Sequence, residues 1–227
     1  MRIAVVTPIF RPADGWLEQC HASVRAQTHA CTHILISDGD GPNPLLDFVG
    51  QFIQLSWRHD DYGDTPVALG SVSAFSQGFD AIAYLDDDCW YEPEHIASLV
   101  ELHERTGASV CSSLRKLYDY QDNFLQVCPS SDGVRFVDTN CYMIWRAARQ
   151  LCVELASMPR EYHAIGDRYL FHQMRRQQVS HANSGIASVC YRTRLRKVFL
   201  RLGLQPPADA AMDPHVLGLI RKLNSLP

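Results

Sequence analysis

Three apolar runs constrain the fold more than any other feature of the chain. Ile3–Val6, Ile34–Ile36 and Ala81–Leu85 are continuous rather than alternating, and the first is stopped by Thr7-Pro8. A strand without a polar face is covered on both sides, the condition of a parallel sheet flanked by helices. Between the first two runs, Leu17, Cys20 and Val24 fall at helical spacing behind Asp14, a capping residue. That is a β-α-β unit. Phe48–Leu55 is expected to hold a helix end and a short third strand, and Val67–Phe79 a helix leading into Ala81–Leu85. Pro93 opens a helix with Ile96, Leu99 and Val100 on one face, ended by Gly107. Further strands are expected at Ser109–Leu114, Val134–Val137 and Cys141–Trp145, and helices at Arg146–Leu155 and Asp167–Gln177. The alternation implies a mainly parallel α/β sheet with right-handed crossovers, and 227 residues suffice for one such core plus an elaboration.

Charge and composition narrow the function classes. With 21 basic against 25 acidic residues, net −4, the chain offers no general basic face, so no nucleic-acid partner is expected. The charge is unevenly spread: Arg192–Pro227 carries seven basic and two acidic residues, leaving the remainder at −9. Leu195–Leu204 and Val216–Leu223 add apolar residues at helical spacing, so residues 192–227 read as a basic amphipathic appendage to a domain spanning 1–191. Such a tail suits peripheral contact with an anionic membrane face, packing on its own domain, or a second subunit in a homo-oligomer. The eight cysteines form no Cys-x-x-Cys pair, which argues against a zinc ribbon or a thioredoxin-type motif. Met1-Arg2 before Ile3–Val6 is too short for a secretory signal and no stretch approaches 18 apolar residues. A cytoplasmic protein with reduced thiols is the expectation.

Asp86-Asp87-Asp88 follows the run Ala81–Leu85 directly, where strand-end side chains face the ligand crevice of an open sheet. Asp86 and Asp88, two apart, emerge on one side of an extended chain. Their mutual repulsion is relieved by a hard divalent cation, or one of them caps the helix near Pro93. Ser37-Asp38-Gly39 follows the second run. Gly39 and Gly41 match two positions of a dinucleotide fingerprint, but Pro44 stands at the third, which argues against a Rossmann phosphate loop. Asp38 either accepts from the N3–H of a uracil or thymine, or belongs to a plain Asp-Gly turn.

Val5-Val6-Thr7-Pro8, Ser37-Asp38-Gly39 and Tyr84-Leu85-Asp86-Asp87-Asp88 together resemble, in order and spacing, the nucleotide-binding half of the family 2 glycosyltransferases, which have the Rossmann-like GT-A fold. The resemblance covers roughly residues 1–105 and leaves 106–191 as the acceptor half. It implies that Thr7 (with Pro8 beside it) and Asp38 meet the base. Asp86 approaches the ribose, with Asp87 beside it, and Asp88 holds Mn²⁺ or Mg²⁺ on the diphosphate. Ile165-Gly166-Asp167-Arg168 resembles the family's Glu-Asp signature, with Gly166 in place of Glu. Asp167 is then the catalytic base, or else a helix cap. The activity implied is inverting transfer of a sugar from a nucleoside diphosphate, UDP-sugar favoured through Asp38, to a glycan or lipid-linked hydroxyl.

Further candidates come from the residues themselves. Asp64 belongs either to the sugar-nucleotide site or to a solvated acidic turn. His181 either completes the metal site or is a surface histidine, and Arg192 and Arg194 offer guanidinium forks to diphosphate oxygens or belong to the tail. Asp138-Thr139-Asn140 is placed to line an acceptor pocket; Trp90, Tyr91 and Trp145 are sugar platforms or core. A sugar-nucleotide pyrophosphorylase is the nearest rival enzyme, but Thr7-Pro8-Ile9-Phe10 stands where its Gly-rich phosphate loop would be. A non-catalytic nucleotide- or glycan-binding module is the rival of another class.

Overall fold

A computed structural model describes residues 1–39, 48–210 and 214–225, with side chains omitted at 214 and 215. Asp40, Gly41 and Pro44 of the second-strand loop, and the tail's Asp213, lie outside the described residues. In chain order the elements are β1 (Ile3–Ile9), α1 (Trp16–Arg25), β2 (Cys31–Ser37), β3 (Gln51–Gln54), α2 (Asp64–Ser76), β4 (Ala81–Tyr84), β5 (Cys89–Tyr91) and α3 (His95–Thr106). There follow β6 (Val110–Tyr118), β7 (Phe124–Val127), β8 (Tyr142–Trp145), α4 (Gln150–Ser157), α5 (Gly166–Arg176), β9 (His181–Arg192), α6 (Arg196–Arg201) and α7 (Pro214–Asn224).

One sheet runs β3-β2-β1-β4-β8-β6-β9-β5, with β7 paired to β6. The half from β3 to β4 is parallel, as the continuous apolar runs required. Beyond β4 the sheet is mixed: β8 is antiparallel to β4 and β6, while β9 runs parallel to β6 and antiparallel to β5. The chain steps outward from β1 to β2 and β3, then crosses to β4 on the other side of β1. A crevice therefore opens at the carboxyl ends of β1 and β4, the switch point where open α/β sheets bind ligands.

Helix α2 lies on this half of the sheet at unusually close range. Gly70 sets the distance: a Cβ there would sit 2.7 Å from both Ile36 Cδ1 and Val6 Cγ1. The helix starts three residues before its expected position because Gly63 turns the backbone at φ 86° and Asp61 Oδ2 accepts from Thr65 N–H in the first turn. This delivers Asp64 to the crevice.

Three expectations need correction. Asp14 caps nothing; α1 begins after Gly15 in a left-handed conformation, without a side-chain cap. Val134–Val137 forms no strand, because Asp132 Oδ1 accepts from the N–H groups of Val134 and Arg135 and closes a local turn against the ladder. The second antiparallel partner of β6 is β7 instead. The strand β5 intervenes between the three aspartates and α3, whose N-cap is Glu94, so the aspartates cap no helix. Of the placements open to the tail, packing on its own domain is seen: β9 runs through Arg192, Leu219 and Leu223 of α7 join the main apolar cluster, and Val198 of α6 packs with Leu117 and Cys128.

Candidate active site

Two joined cavities occupy the crevice. The first, about 640 Å³, is lined by Pro8, Ile9 and Phe10 from the end of β1, by Asp38 and Arg58, by Asp86, Asp87 and Asp88 after β4, and by Arg194. The second, about 590 Å³, runs from Asp86 past Asp138 and Asn140 to Asp167, with Lys197 and Arg201 of α6 on its far wall. Tyr62, Gly63 and Asp86 line both.

At the junction, ligand atoms of Asp86, Asp88 and Cys89 lie within 4.8 Å of one another. Burial above all, with the neighbouring carboxylates, raises the pKa of Asp86 and Asp88 and pushes Asp87 up to about 7. The Cys89 thiol is pushed up as well, by burial and then by Asp88, and it donates to Asp88 Oδ1 at 3.1 Å. Cys89 is thus a neutral neighbour, and the oxygen donors left for an ion are two carboxylates. That set fits a hard divalent cation such as Mg²⁺ or Mn²⁺.

A relay of hydrogen bonds holds Asp86 in place. Asn140 Nδ2 donates to Asp86 Oδ2 at 2.7 Å and to Asp138 Oδ1 at 3.0 Å, and Asp138 pairs with the buried Arg115. Sequence reasoning set Asp138 and Asn140 in an acceptor pocket on position alone and missed Arg115, which stands in the middle of β6.

In the first cavity, both oxygens of Asp38 accept from His59 N–H, and Oδ1 also meets His59 Nδ1 at 2.7 Å. Asp38 therefore stands fixed at the cavity wall. Arg58 lies over the Phe10 ring, 4.1 Å from its centroid. Thr7 is turned the other way: its hydroxyl bonds His33 Nε2 at 2.8 Å inside the core, and His33 meets His21. Only its backbone neighbours face the crevice. Arg194 is exposed and lines the cavity beside the three aspartates.

Two residues expected in the site lie elsewhere. The Arg192 guanidinium is engaged by Asp122, Gln19 and the Asp88 carbonyl, between the rings of Trp16 and Trp90. It braces the backbone of the three-aspartate segment and offers no fork to a diphosphate. His181 pairs with Val110 at the beginning of β6, the end of the sheet remote from Asp86, and bonds Ser112 Oγ at 2.7 Å.

In the second cavity, Asp167 stands in the first turn of α5 and accepts from Arg168 N–H at 2.7 Å. Burial, then Asp138, pushes its pKa up to about 6. Asp64 reaches the same wall from α2, with Oδ2 2.8 Å from His163 Nδ1. Burial, then Asp61, Asp86 and Asp167, pushes Asp64 up to about 9.

The description Glycosyl transferase family 2 fits a family profile matching residues 4–203, nearly the whole chain. The chain belongs to glycosyl transferase family 2. Among solved structures, the GT-A-type arrangement recurs in S. aureus TarS. TarS 1–349 in complex with UDP is 11% identical at a TM-score of 0.62, covering 89% of this chain and 63% of that one. TarS 1–349 in complex with UDP-GlcNAc is also 11% identical at 0.62, covering 98% and 66%. The chain spans 38% of the full TarS structure, which is 12% identical. No curated protein matches at the sequence level. Within this family 2 chain, Ser37 stands at the end of β2 where the family has an aspartate. Ser37 is fully buried and its Oγ has no hydrogen-bond partner among the described residues, so a carboxylate there would be buried without a counter-charge.

Proposed function

We propose that this family 2 enzyme is an inverting, divalent-metal-dependent glycosyltransferase that moves a sugar from a UDP-sugar to a hydroxyl of a glycan or lipid-linked acceptor. The observation carrying this reading is the joined crevice, with two metal-competent carboxylates at its centre and the Asp167 carboxyl on the wall of the second cavity. The UDP and UDP-GlcNAc complexes of the similarly folded TarS support a UDP-sugar donor.

Asp38 and Pro8 then line the base end, Arg194 faces the diphosphate, and Asp86 and Asp88 would hold the ion. A bound divalent ion supplies charge neutralisation to the departing diphosphate. Asp167 takes the proton of the acceptor hydroxyl, whose oxygen attacks the anomeric carbon opposite the leaving group. One carboxylate base and no protein nucleophile gives a single displacement, hence inversion.

The tail supports acceptor delivery at an anionic membrane face. Leu200, Leu202, Leu204 and Leu217 are exposed beside Arg196, Lys197, Arg201 and Arg221, although no described helix is long and apolar enough to cross a membrane.

The test is UDP release from a panel of UDP-sugars, UDP-GlcNAc among them, with glycoside acceptors. We expect turnover that EDTA abolishes and Mn²⁺ or Mg²⁺ restores, with an inverted anomeric centre in the product. Turnover indifferent to EDTA, or a retained configuration, overturns the mechanism. Donor binding without UDP release indicates a binding module.

A further inference from the structure

Gly166 immediately precedes the candidate base, and the space its missing side chain leaves is already filled. A Cβ on Gly166 would sit 2.9 Å from Asp64 Oδ1 and 3.0 Å from Oδ2, so a side chain at 166 and the Asp64 carboxyl exclude one another. The carboxyl arrives from a different element, the start of α2, 99 residues from the histidine that holds it. Its two oxygens differ. Oδ2 bonds His163 Nδ1, on the turn leading into α5, whereas Oδ1 has no hydrogen-bond partner among the described residues. Asp64, His163, Gly166 and Asp167 all line the acceptor-side cavity. A fixed carboxyl with one idle oxygen beside a base is arranged to meet a polar group on the molecule that the base deprotonates.

We propose that Asp64, held by His163, receives through Oδ1 a second hydroxyl of the acceptor, next to the one whose proton Asp167 takes. The acceptor class is accordingly a polyol with neighbouring hydroxyls, that is, a sugar unit rather than a simple alcohol. This rests on the transferase reading above. It changes the role of Asp64, which the sequence suggested for the sugar nucleotide, to the acceptor side. His163 is a positioning residue, since it acts through Asp64.

The test measures the partition of a UDP-sugar between a methyl glycoside and water, with the full chain. Asp64→Ala, which removes the carboxyl, is expected to shift that partition toward water about 2- to 10-fold, the scale of one neutral hydrogen bond. His163→Gln shifts it in the same direction by less. Gly166→Ala, which pushes a methyl group into the carboxyl, also shifts it. The decisive variant returns the carboxyl to position 166: Asp64→Gly alone loses transfer to the glycoside, and Asp64→Gly with Gly166→Glu recovers part of it.

A role confined to stability lowers glycoside transfer and hydrolysis in parallel and leaves the partition at the wild-type value. That result, or a double variant no better than Asp64→Gly, overturns the proposal. If the wild-type protein releases no UDP from any donor, the transferase reading fails, and ligand-observed NMR with methyl glycosides then judges Asp64 by itself. Weaker glycoside binding by Asp64→Ala than by wild type supports the hydroxyl contact; equal binding, or none by the wild type, overturns it.

Discussion

Asn140 grips Asp86 at both ends: its Oδ1 accepts from the Asp86 backbone N–H at 2.5 Å, and its Nδ2 donates to Asp86 Oδ2 at 2.7 Å. A single amide thus fixes where the chain leaves β4 and which way its first carboxylate points. Groups that orient ligands in this way typically contribute 10- to 100-fold in metal affinity. Asn140→Ala should weaken Mn²⁺ binding by about that factor, measured by calorimetry with UDP present, while the sheet stays intact by circular dichroism. Unchanged affinity would show that Asp86 needs no such support.

Asp88→Asn removes one of the two oxygen donors from a place where carboxylate repulsion opposes folding. The variant should lose Mn²⁺-dependent affinity for UDP and melt no lower than wild type without metal. Wild-type affinity in the variant would exclude Asp88 as a ligand.

Asp167 works as a base only once it is deprotonated. Its pKa, raised to about 6, places the rise of the pH–rate profile there rather than near 4, with kcat/KM climbing through about pH 6. Asp167→Asn should lower turnover by roughly 10²-fold or more with donor affinity nearly intact. A variant that binds donor poorly yet turns over normally at saturation would make Asp167 a substrate-positioning group.

Asp64 yields a stability prediction whose sign runs against its use in the site. At a folded pKa of about 9, it keeps at pH 7 a proton that the unfolded chain releases near its ordinary value of about 3.9. The folded state then binds more protons than the unfolded one, so this group's contribution to stability falls as pH rises between those values. Asparagine removes that burden. The Tm gain of Asp64→Asn over wild type should grow from pH 5 to pH 8; a gain that stays flat over this range would place the folded pKa near the ordinary carboxylate value.

For the tail, the measurement is flotation with liposomes containing anionic lipid. The full chain should float and be released by high salt, and a truncation at Arg194 should not. Equal partitioning of the two would leave α6 and α7 as packing elements alone.

The sequence reveals what local pattern controls. Continuous apolar runs can be read as parallel strands because both faces are buried, and Asp86–Asp88 can be placed at a strand end for the same reason. The short strand β5 cannot be read this way, since its three residues take their pairing from β9, a hundred residues later. Thr7 and Arg192 illustrate the same gap. Position along the chain puts both at strand ends facing a crevice, but His33 draws the Thr7 hydroxyl inward, and Gln19 and Asp122, 173 and 70 residues from Arg192, capture its guanidinium. Asp64 was ambiguous because its partner is 99 residues away.

The placement of β9 has a consequence for how the molecule is made. Strand β5, which leaves the three aspartates directly, pairs only with β9 among the described strands, and Arg192 at the far end of β9 closes onto the Asp88 carbonyl between Trp16 and Trp90. A nascent chain emerging from the ribosome can pair β1, β2 and β4 early. It must wait for almost the last strand before the end of the sheet beside the aspartates is closed. Contacts this distant in sequence are slow to form, so the first half passes through synthesis with two tryptophans uncovered and a strand edge unpaired. That interval is when a chaperone would find it, and when a truncated message would yield an aggregation-prone product rather than a half-active enzyme.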